Sequence, residues 1–90
     1  MLYRLDQKIP RIHDSAFIAD DSSIIGDVTI DKFSGIWFQA VLRADGQPIK
    51  IGSYSNIQDC SVIHITTRGS GVLIGDRVSV GHKAIVHAAT

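Results

Sequence analysis

From Ile18 onward, aliphatic residues recur every six positions along the chain. Eleven successive blocks begin with such a residue, and the blocks that start at Leu42 and Ile63 are longer than six residues. A period of six matches neither an amphipathic helix nor a simple amphipathic strand. It matches short strands separated by corners, with three hexads closing one triangular coil. The blocks begin at Ile18, Ile24, Ile30, Ile36, Leu42, Ile51, Ile57, Ile63, Ile74, Val80 and Val86.

Each hexad combines its aliphatic first residue with a small or β-branched fifth residue, such as Ser22, Val28 or Ala40. The first residue is predicted to point into the prism, and the small residue lets the chain bend at a corner. Glycine and aspartate near the corners are expected to supply unusual backbone angles. We predict an all-β protein, a left-handed parallel β-helix of hexapeptide repeats with about four coils. An antiparallel β-domain rich in isoleucine is disfavoured by so many aliphatic residues in phase.

Residues 1–17 precede the repeat and are out of phase with it. Pro10 and the apolar residues Leu2 and Leu5 suggest a lead-in segment that caps the first coil. The chain is therefore predicted to consist of an N-terminal lead-in or cap, residues 1–17, and a hexapeptide-repeat domain, residues 18–90.

The charge balance and the single cysteine limit the partners and the compartment. Nine basic residues balance nine acidic ones, which argues against nucleic acid or an anionic membrane as a partner. The sequence shows neither an apolar run long enough to span a bilayer nor the layout of a secretory signal. Because Cys60 is alone, no internal disulfide framework is expected, and a reducing, cytoplasmic location is predicted.

Counting three hexads per coil assigns every block to one face of the prism. The two long blocks both run from face B to face C, so their extra residues, within 44–50 and 65–73, are predicted to protrude at one corner. Insertions in repeat proteins gather on a functional side. Face A contains Ile18, Ile36, Ile57 and Val80; face B contains Ile24, Leu42, Ile63 and Val86; face C contains Ile30, Ile51 and Ile74.

Three of the four histidines take related positions in this scheme. His64 and His87 each hold the second place of a face B hexad in successive coils, and Arg43 lies one coil below His64. His82 lies on face A, so it joins the other two only if neighbouring prisms pack face A against face B. Three imidazoles and one open position make a catalytic zinc site, and they also suit iron or cobalt. Separate surface histidines are the alternative, and His13 is interpreted as a surface or cap residue.

The chain resembles the γ-class carbonic anhydrase-like family of trimeric left-handed β-helices through the segments IIGDV, IWFQAVLRADGQPIKIG, NIQDCSVIH and IGDRVSVGHKAIVH. The resemblance implies a homotrimer in which His64, His82 and His87 are the zinc ligands, with His82 given across a subunit boundary. Trp37 and Phe38, which follow Ile36 on face A, are interpreted as interface or packing aromatics.

Five further residues match polar positions of that family. The resemblance implies that Arg43 and Asp45 pair and help to hold the trimer. It implies that Asn56 and Gln58 are catalytic residues beside the metal, where Gln58 contacts the metal-bound solvent. Asp59 is implied to be a structural carboxylate or one that supports a metal ligand.

The implied activity is reversible hydration of carbon dioxide to bicarbonate, in which zinc lowers the pKa of its bound water and a nearby base exports the proton. The family's active pattern has glutamates in the two corner loops, whereas ADGQPIK and ITTRGSGVL contain none. The family's further coils and C-terminal helix are also lacking, so the sequence is interpreted as a truncated form. The alternatives are a catalytically weak or silent metal-binding structural trimer and a hexapeptide acyltransferase that uses coenzyme A.

Overall fold

The computed structural model describes residues 1–65 and 71–87 of the chain, which form eleven short strands and no helix. In this part of the chain, no helix is long and apolar enough to cross a membrane. The strands are β1 (Leu2–Tyr3), β2 (Arg11–Ile12), β3 (Phe17–Ile18), β4 (Ser23–Ile30), β5 (Gly35–Ile36), β6 (Val41–Ile51), β7 (Asn56–Ile57), β8 (Val62–His64), β9 (Val72–Ile74), β10 (Ser79–Val80) and β11 (Ile85–His87).

The strands form two sheets whose register follows the hexad count. One sheet, in the order β3-β5-β7-β10, is face A, and the other contains the remaining strands of faces B and C. On face B, Leu42 pairs in parallel with Ile24 below it and Ile63 above it. The first residues of the central hexads are at most 2% exposed. The predicted left-handed parallel β-helix of hexapeptide repeats, with an aliphatic core, is therefore confirmed.

The corner between faces B and C carries the first long block. Strands β4 and β6 run through this corner without a break, and their register shifts between Gly26 and Val28. Gly26 has a φ of 82°, and a Cβ there would lie 2.3 Å from the carbonyl oxygen of Ala44, so only glycine fits. The shift leaves Asp45 exposed beside face B. The second predicted loop contains residues 66–70, which lie outside the described residues.

After the first hexad, the other two corners each turn on a single residue in the left-handed region, at the fourth position of a hexad. The expectation that glycine and aspartate supply these angles is wrong at both corners. A left-handed residue with a side chain costs about 1–2 kcal/mol, so neighbouring interactions must compensate. The residues, with φ between 55° and 63°, are Phe33, Tyr54 and Arg77 from face C to face A, and Gln39, Cys60 and Lys83 from face A to face B.

Buried serines at the fifth position join successive coils beside these corners. Ser34 Oγ donates to the carbonyl of Gly52 at 2.5 Å and accepts the N–H of Ser55 at 3.1 Å. Ser55 Oγ donates to the carbonyl of Gly75 at 2.5 Å and accepts the N–H of Val78 at 3.0 Å. A hydroxyl donates and accepts at once, so each serine satisfies two backbone groups of the next coil. Where a serine holds the fifth position, it therefore contributes hydrogen bonds as well as a small volume.

Residues 1–17 contribute strand pairs beneath the first full coil. Strand β1 pairs with β4 at Ile24 and Ile25, and β2 pairs with β4 at Thr29 and Ile30. The segment therefore covers one end of the aliphatic core, as capping segments of repeat proteins do. The division into domains after residue 17 stays a prediction.

Replacing one buried serine tests the role of its hydroxyl. Ser55→Ala is expected to lower the free energy of unfolding by about 1–3 kcal/mol, because the partly buried carbonyl of Gly75 and N–H of Val78 lose their hydrogen-bond partner. Ser79→Ala is the control, since Ser79 is exposed in strand β10. Urea unfolding followed by circular dichroism measures both variants. Equal losses in the two variants would contradict the role of the buried hydroxyl.

Candidate metal centre

Two histidines stand one above the other on the outer surface of face B. His64 ends strand β8, His87 ends strand β11, and the two residues are register partners. Their rings are stacked, with centroids 5.2 Å apart and planes inclined by 6°. The stacking follows from the repeat, because equal positions in successive coils lie one strand spacing apart. The structure thus brings together two of the three predicted metal ligands.

Arg43 and Asp45 lie against His64 within the same chain. Arg43 is the register partner of His64 in the coil below. Arg43 Nη2 is 3.0 Å from His64 Nε2, and Asp45 Oδ1 is 3.2 Å from the same nitrogen. Arg43 Nε also pairs with Asp45 Oδ2 at 3.2 Å. The resemblance implied the arginine–aspartate pair, and the hexad count placed Arg43 one coil below His64, but the contact of Asp45 with His64 was not predicted.

The two contacts of His64 Nε2 exclude each other chemically. A guanidinium only donates, so its bond requires a lone pair on Nε2, whereas a carboxylate only accepts, so its bond requires a proton there. A metal ion needs the same lone pair that Arg43 uses. Binding of a metal to this nitrogen therefore requires Arg43 to release it, while the ion pair between Arg43 and Asp45 can persist.

The second histidine of the pair has a different partner. His87 Nε2 lies 3.2 Å from the carbonyl oxygen of Ile65. Because a carbonyl only accepts, Nε2 carries a proton in this contact, and the lone pair of the neutral ring is on Nδ1. A hydrogen bond from one ring nitrogen to a backbone carbonyl commonly orients an imidazole whose other nitrogen binds a metal. This contact therefore leaves His87 Nδ1 available as a ligand.

His82 lies on face A and does not approach the histidine pair of its own chain. Its side chain is 70% exposed, and its Nδ1 is 3.7 Å from Asp59 Oδ1, which is longer than a hydrogen bond. Among residues 1–65 and 71–87, no three His, Cys, Asp or Glu side chains are grouped closely enough to hold a metal ion. A three-histidine site is thus not formed within the described part of one chain.

The donor set fits zinc in its chemistry. Imidazole nitrogens bind zinc at about 2.0–2.1 Å, so two imidazoles on one ion have nitrogens within about 4 Å of each other. The rings of His64 and His87 have centroids 5.2 Å apart and nearly parallel planes, so their side chains would have to rotate for both to bind one ion. One chain thus offers two imidazoles on face B and a third, His82, on face A.

Asn56 and Gln58 flank the buried Ile57 on face A, and both are half-buried. Trp37 donates its indole N–H to Asn56 Oδ1 at 2.9 Å, and its ring centroid lies 4.9 Å from that of Phe17. From the sequence, Trp37 was interpreted as an interface or packing aromatic, and its bond to Asn56 was not predicted. The parallel register offered a partial signal, because Gly35 is the register partner of Asn56 and Trp37 follows two residues later in the same coil.

Comparisons with known proteins identify the family. A protein from Methanocaldococcus jannaschii named "Probable carbonic anhydrase" is 51% identical over 70 residues, which are 78% of this chain and 43% of that protein. Gamma carbonic anhydrase 2, mitochondrial, from Arabidopsis thaliana is 44% identical over 94 residues, covering 99% of this chain and 34% of that protein. A solved structure of a hexapeptide transferase family protein from Anaplasma phagocytophilum matches with a TM-score of 0.90 at 40% identity.

The match with this solved structure covers 97% of this chain and 50% of the matched chain. No protein-family model matches the chain. The repeat, the fold and these relatives show that the chain belongs to the γ-class carbonic anhydrase-like family of hexapeptide-repeat proteins. It spans between 34% and 50% of the length of the three relatives. Because of this partial coverage, the relatives do not establish the activity, substrates or partners of the whole protein.

Metal analysis of purified protein tests the histidine pair. We expect about one zinc-class ion per subunit, lost in His64→Ala and in His87→Ala, because each substitution removes one nitrogen donor. His13→Ala is the control, since His13 is exposed and its ring contacts Ser15 instead. Equal metal content in the wild-type protein and both face B variants would refute a site that contains this pair.

Proposed function

We propose that this chain is a subunit of a zinc-dependent, carbonic anhydrase-like homotrimer that catalyses the reversible hydration of carbon dioxide to bicarbonate. The observation that carries the proposal is the stacked pair His64–His87 on face B, with His82 on face A. Relatives that bear carbonic anhydrase names at 44% and 51% identity support this reaction. Iron and cobalt suit the same nitrogen donors and are the alternatives to zinc.

Packing of face A of one subunit against face B of the next is the arrangement that completes the proposed ligand set. Around a closed threefold axis, every interface then combines one His82 with one His64–His87 pair, which gives three equivalent sites. The surface of face A supports this assembly, because Phe17 is 45% and Phe38 is 49% exposed. Aromatic residues are enriched in the cores of protein interfaces.

A bound zinc ion supplies Lewis acidity that turns water into a nucleophile near neutral pH. In the proposed site, His64, His87 and the partner subunit's His82 would hold the ion with neutral nitrogens. Arg43 and Asp45 pair beside it, so they add no net charge to the site. Asp59 Oδ1 lies 3.7 Å from His82 Nδ1, so a small approach of the two side chains would form a hydrogen bond that keeps the proton on Nδ1 and leaves Nε2 for the metal.

Proton export is expected to limit the rate of this chain. The 90 residues contain no glutamate in either predicted corner loop or elsewhere. Asp45, the carboxylate in contact with His64, is already paired with Arg43. A proton released near His64 therefore has to pass to a base from the solvent, and turnover should depend on buffer.

An acyltransferase is the second candidate, because the solved structure with a TM-score of 0.90 is described as a hexapeptide transferase family protein. Such an enzyme uses a histidine as general base and binds coenzyme A, and it has no need of a stacked histidine pair. Calorimetric binding of acetyl coenzyme A, with no metal dependence, would favour it. A metal-binding trimer without activity towards either substrate is the third candidate.

Stopped-flow measurement of carbon dioxide hydration tests the proposed reaction. Metal-loaded protein is expected to accelerate hydration, and the rate should rise with imidazole buffer concentration, because the buffer accepts the proton. His87→Ala is expected to abolish the acceleration, and His13→Ala to retain it. If metal-loaded protein gave no rate above buffer at any imidazole concentration, the enzymatic function would be ruled out in favour of the silent trimer.

The mass in solution tests the proposed assembly. Light scattering is expected to give three times the subunit mass of 9.8 kDa. Phe38→Asp is expected to yield monomers without bound metal, because it places a charge in the core of the proposed interface. Lys50→Asp, at an exposed position on face C, is the control and should remain trimeric. A monomeric wild-type protein with full metal content would contradict the shared site.

A further inference from the structure

The indole of Trp37 lies over face A and is held by contacts on two sides. Its Nε1 donates to Asn56 Oδ1 at 2.9 Å. The ring of Phe17 packs against it with centroids 4.9 Å apart and planes inclined by 45°. Trp37 is half-buried. A packed ring with a bonded N–H has a defined orientation, so the hydrogen bond to Asn56 is a fixed feature of this surface.

Gly35 makes room for this contact. A Cβ at Gly35 would lie 2.8 Å from Asn56 Oδ1 and 2.8 Å from Trp37 Nε1. Real Cβ atoms do not approach other atoms so closely, so any larger residue would push the indole and the amide apart. The glycine, the tryptophan and the asparagine therefore form one unit, in which the lack of a side chain at the first allows the bond between the other two.

The indole N–H determines the orientation of the Asn56 amide group. An indole nitrogen only donates, so it must face the amide oxygen and not the amide NH2 group. The NH2 group of Asn56 is consequently turned away from Trp37. Among the described residues, no acceptor forms a hydrogen bond with this NH2 group. Two donor hydrogens on a half-buried side chain are thus available to an oxygen atom from outside the chain.

We propose that Trp37 is a positioning residue that presents the Asn56 NH2 group as a hydrogen-bond donor to an oxygen of bicarbonate. The inference rests on the proposed function, in which bicarbonate is a product or substrate and Asn56 shares face A with His82. A neutral amide binds an anion without the strength of a charged donor, so it orients bicarbonate and still allows release. Trp37 acts through Asn56 and does not touch bicarbonate itself.

Substitution of the indole by a phenyl ring separates the hydrogen bond from the packing. Trp37→Phe keeps a ring against Phe17 but frees the amide of Asn56 to rotate. In the dehydration direction, it is expected to raise the KM for bicarbonate by about 2- to 10-fold, the range of one lost hydrogen bond, with kcat within about twofold. Gly35→Ala is expected to act in the same direction. Phe33→Leu, which removes an exposed ring at a different corner, is the matched control and should leave KM unchanged.

Nuclear magnetic resonance of the 15N-labelled protein gives a readout that does not need turnover. The indole N–H of Trp37 is expected to exchange slowly with solvent, and the Asn56 NH2 signals are expected to shift on titration of metal-loaded protein with bicarbonate. In Trp37→Phe, the same shift should require more bicarbonate, by the factor seen in KM. In an Asn56→Ala background, Trp37→Phe should cause no further change in KM, because the two residues act as one unit.

The outcomes separate this inference from the proposed function. Absence of turnover in metal-loaded wild-type protein would remove the proposed function, while the titration would still decide whether Asn56 meets bicarbonate. If the Asn56 NH2 signals do not shift when bicarbonate is added, the inference is overturned even if the enzyme is active. Equal rises of KM in Trp37→Phe and Phe33→Leu, or equal falls of kcat and metal content in Trp37→Phe, would also overturn it, since both indicate a general structural effect.

Discussion

Parallel pairing of equal hexad positions, one strand spacing apart, is the constraint on which the rest of this structure depends. It converts a residue repeated along the chain into a column along the prism. Aliphatic columns, such as Ile24, Leu42 and Ile63, fill the core. Buried hydroxyls, such as those of Ser34 and Ser55, bind the corners of successive coils to each other. A slip of one residue would turn a core column towards solvent, so core and corners specify the same register.

The same register brings two histidines together and keeps the third away from them. It stacks His64 and His87 on one face, yet the outer faces of a closed prism point in different directions, so His82 stays apart. The proposed metal site therefore depends on a second copy of the chain. It also depends on an exchange at His64, whose Nε2 contacts Arg43 in the isolated chain. In the proposed site, trimer assembly, metal binding and the release of Arg43 from His64 are therefore linked.

Hexad counting was sufficient to predict the fold, its faces and the column that holds His64, because all three follow from backbone register. It failed at the corners, where position in the repeat selects the left-handed conformation and residues as bulky as Phe33 adopt it. The contact between Trp37 and Asn56 was missed, because it depends on side-chain torsions and on the space above Gly35. The roles of the histidines in metal binding remain predictions, since they depend on a neighbouring subunit.

Complementation between two defective variants tests the shared site most directly. His82→Ala lacks the face A ligand and His64→Ala lacks one face B ligand, so each protein alone is expected to lose the metal. When equal amounts are unfolded and refolded together, random assembly of trimers completes about one interface in four. Zinc content should then rise to about a quarter of the wild-type value. A mixture that binds no more zinc than the separate variants would contradict a metal site built from two subunits.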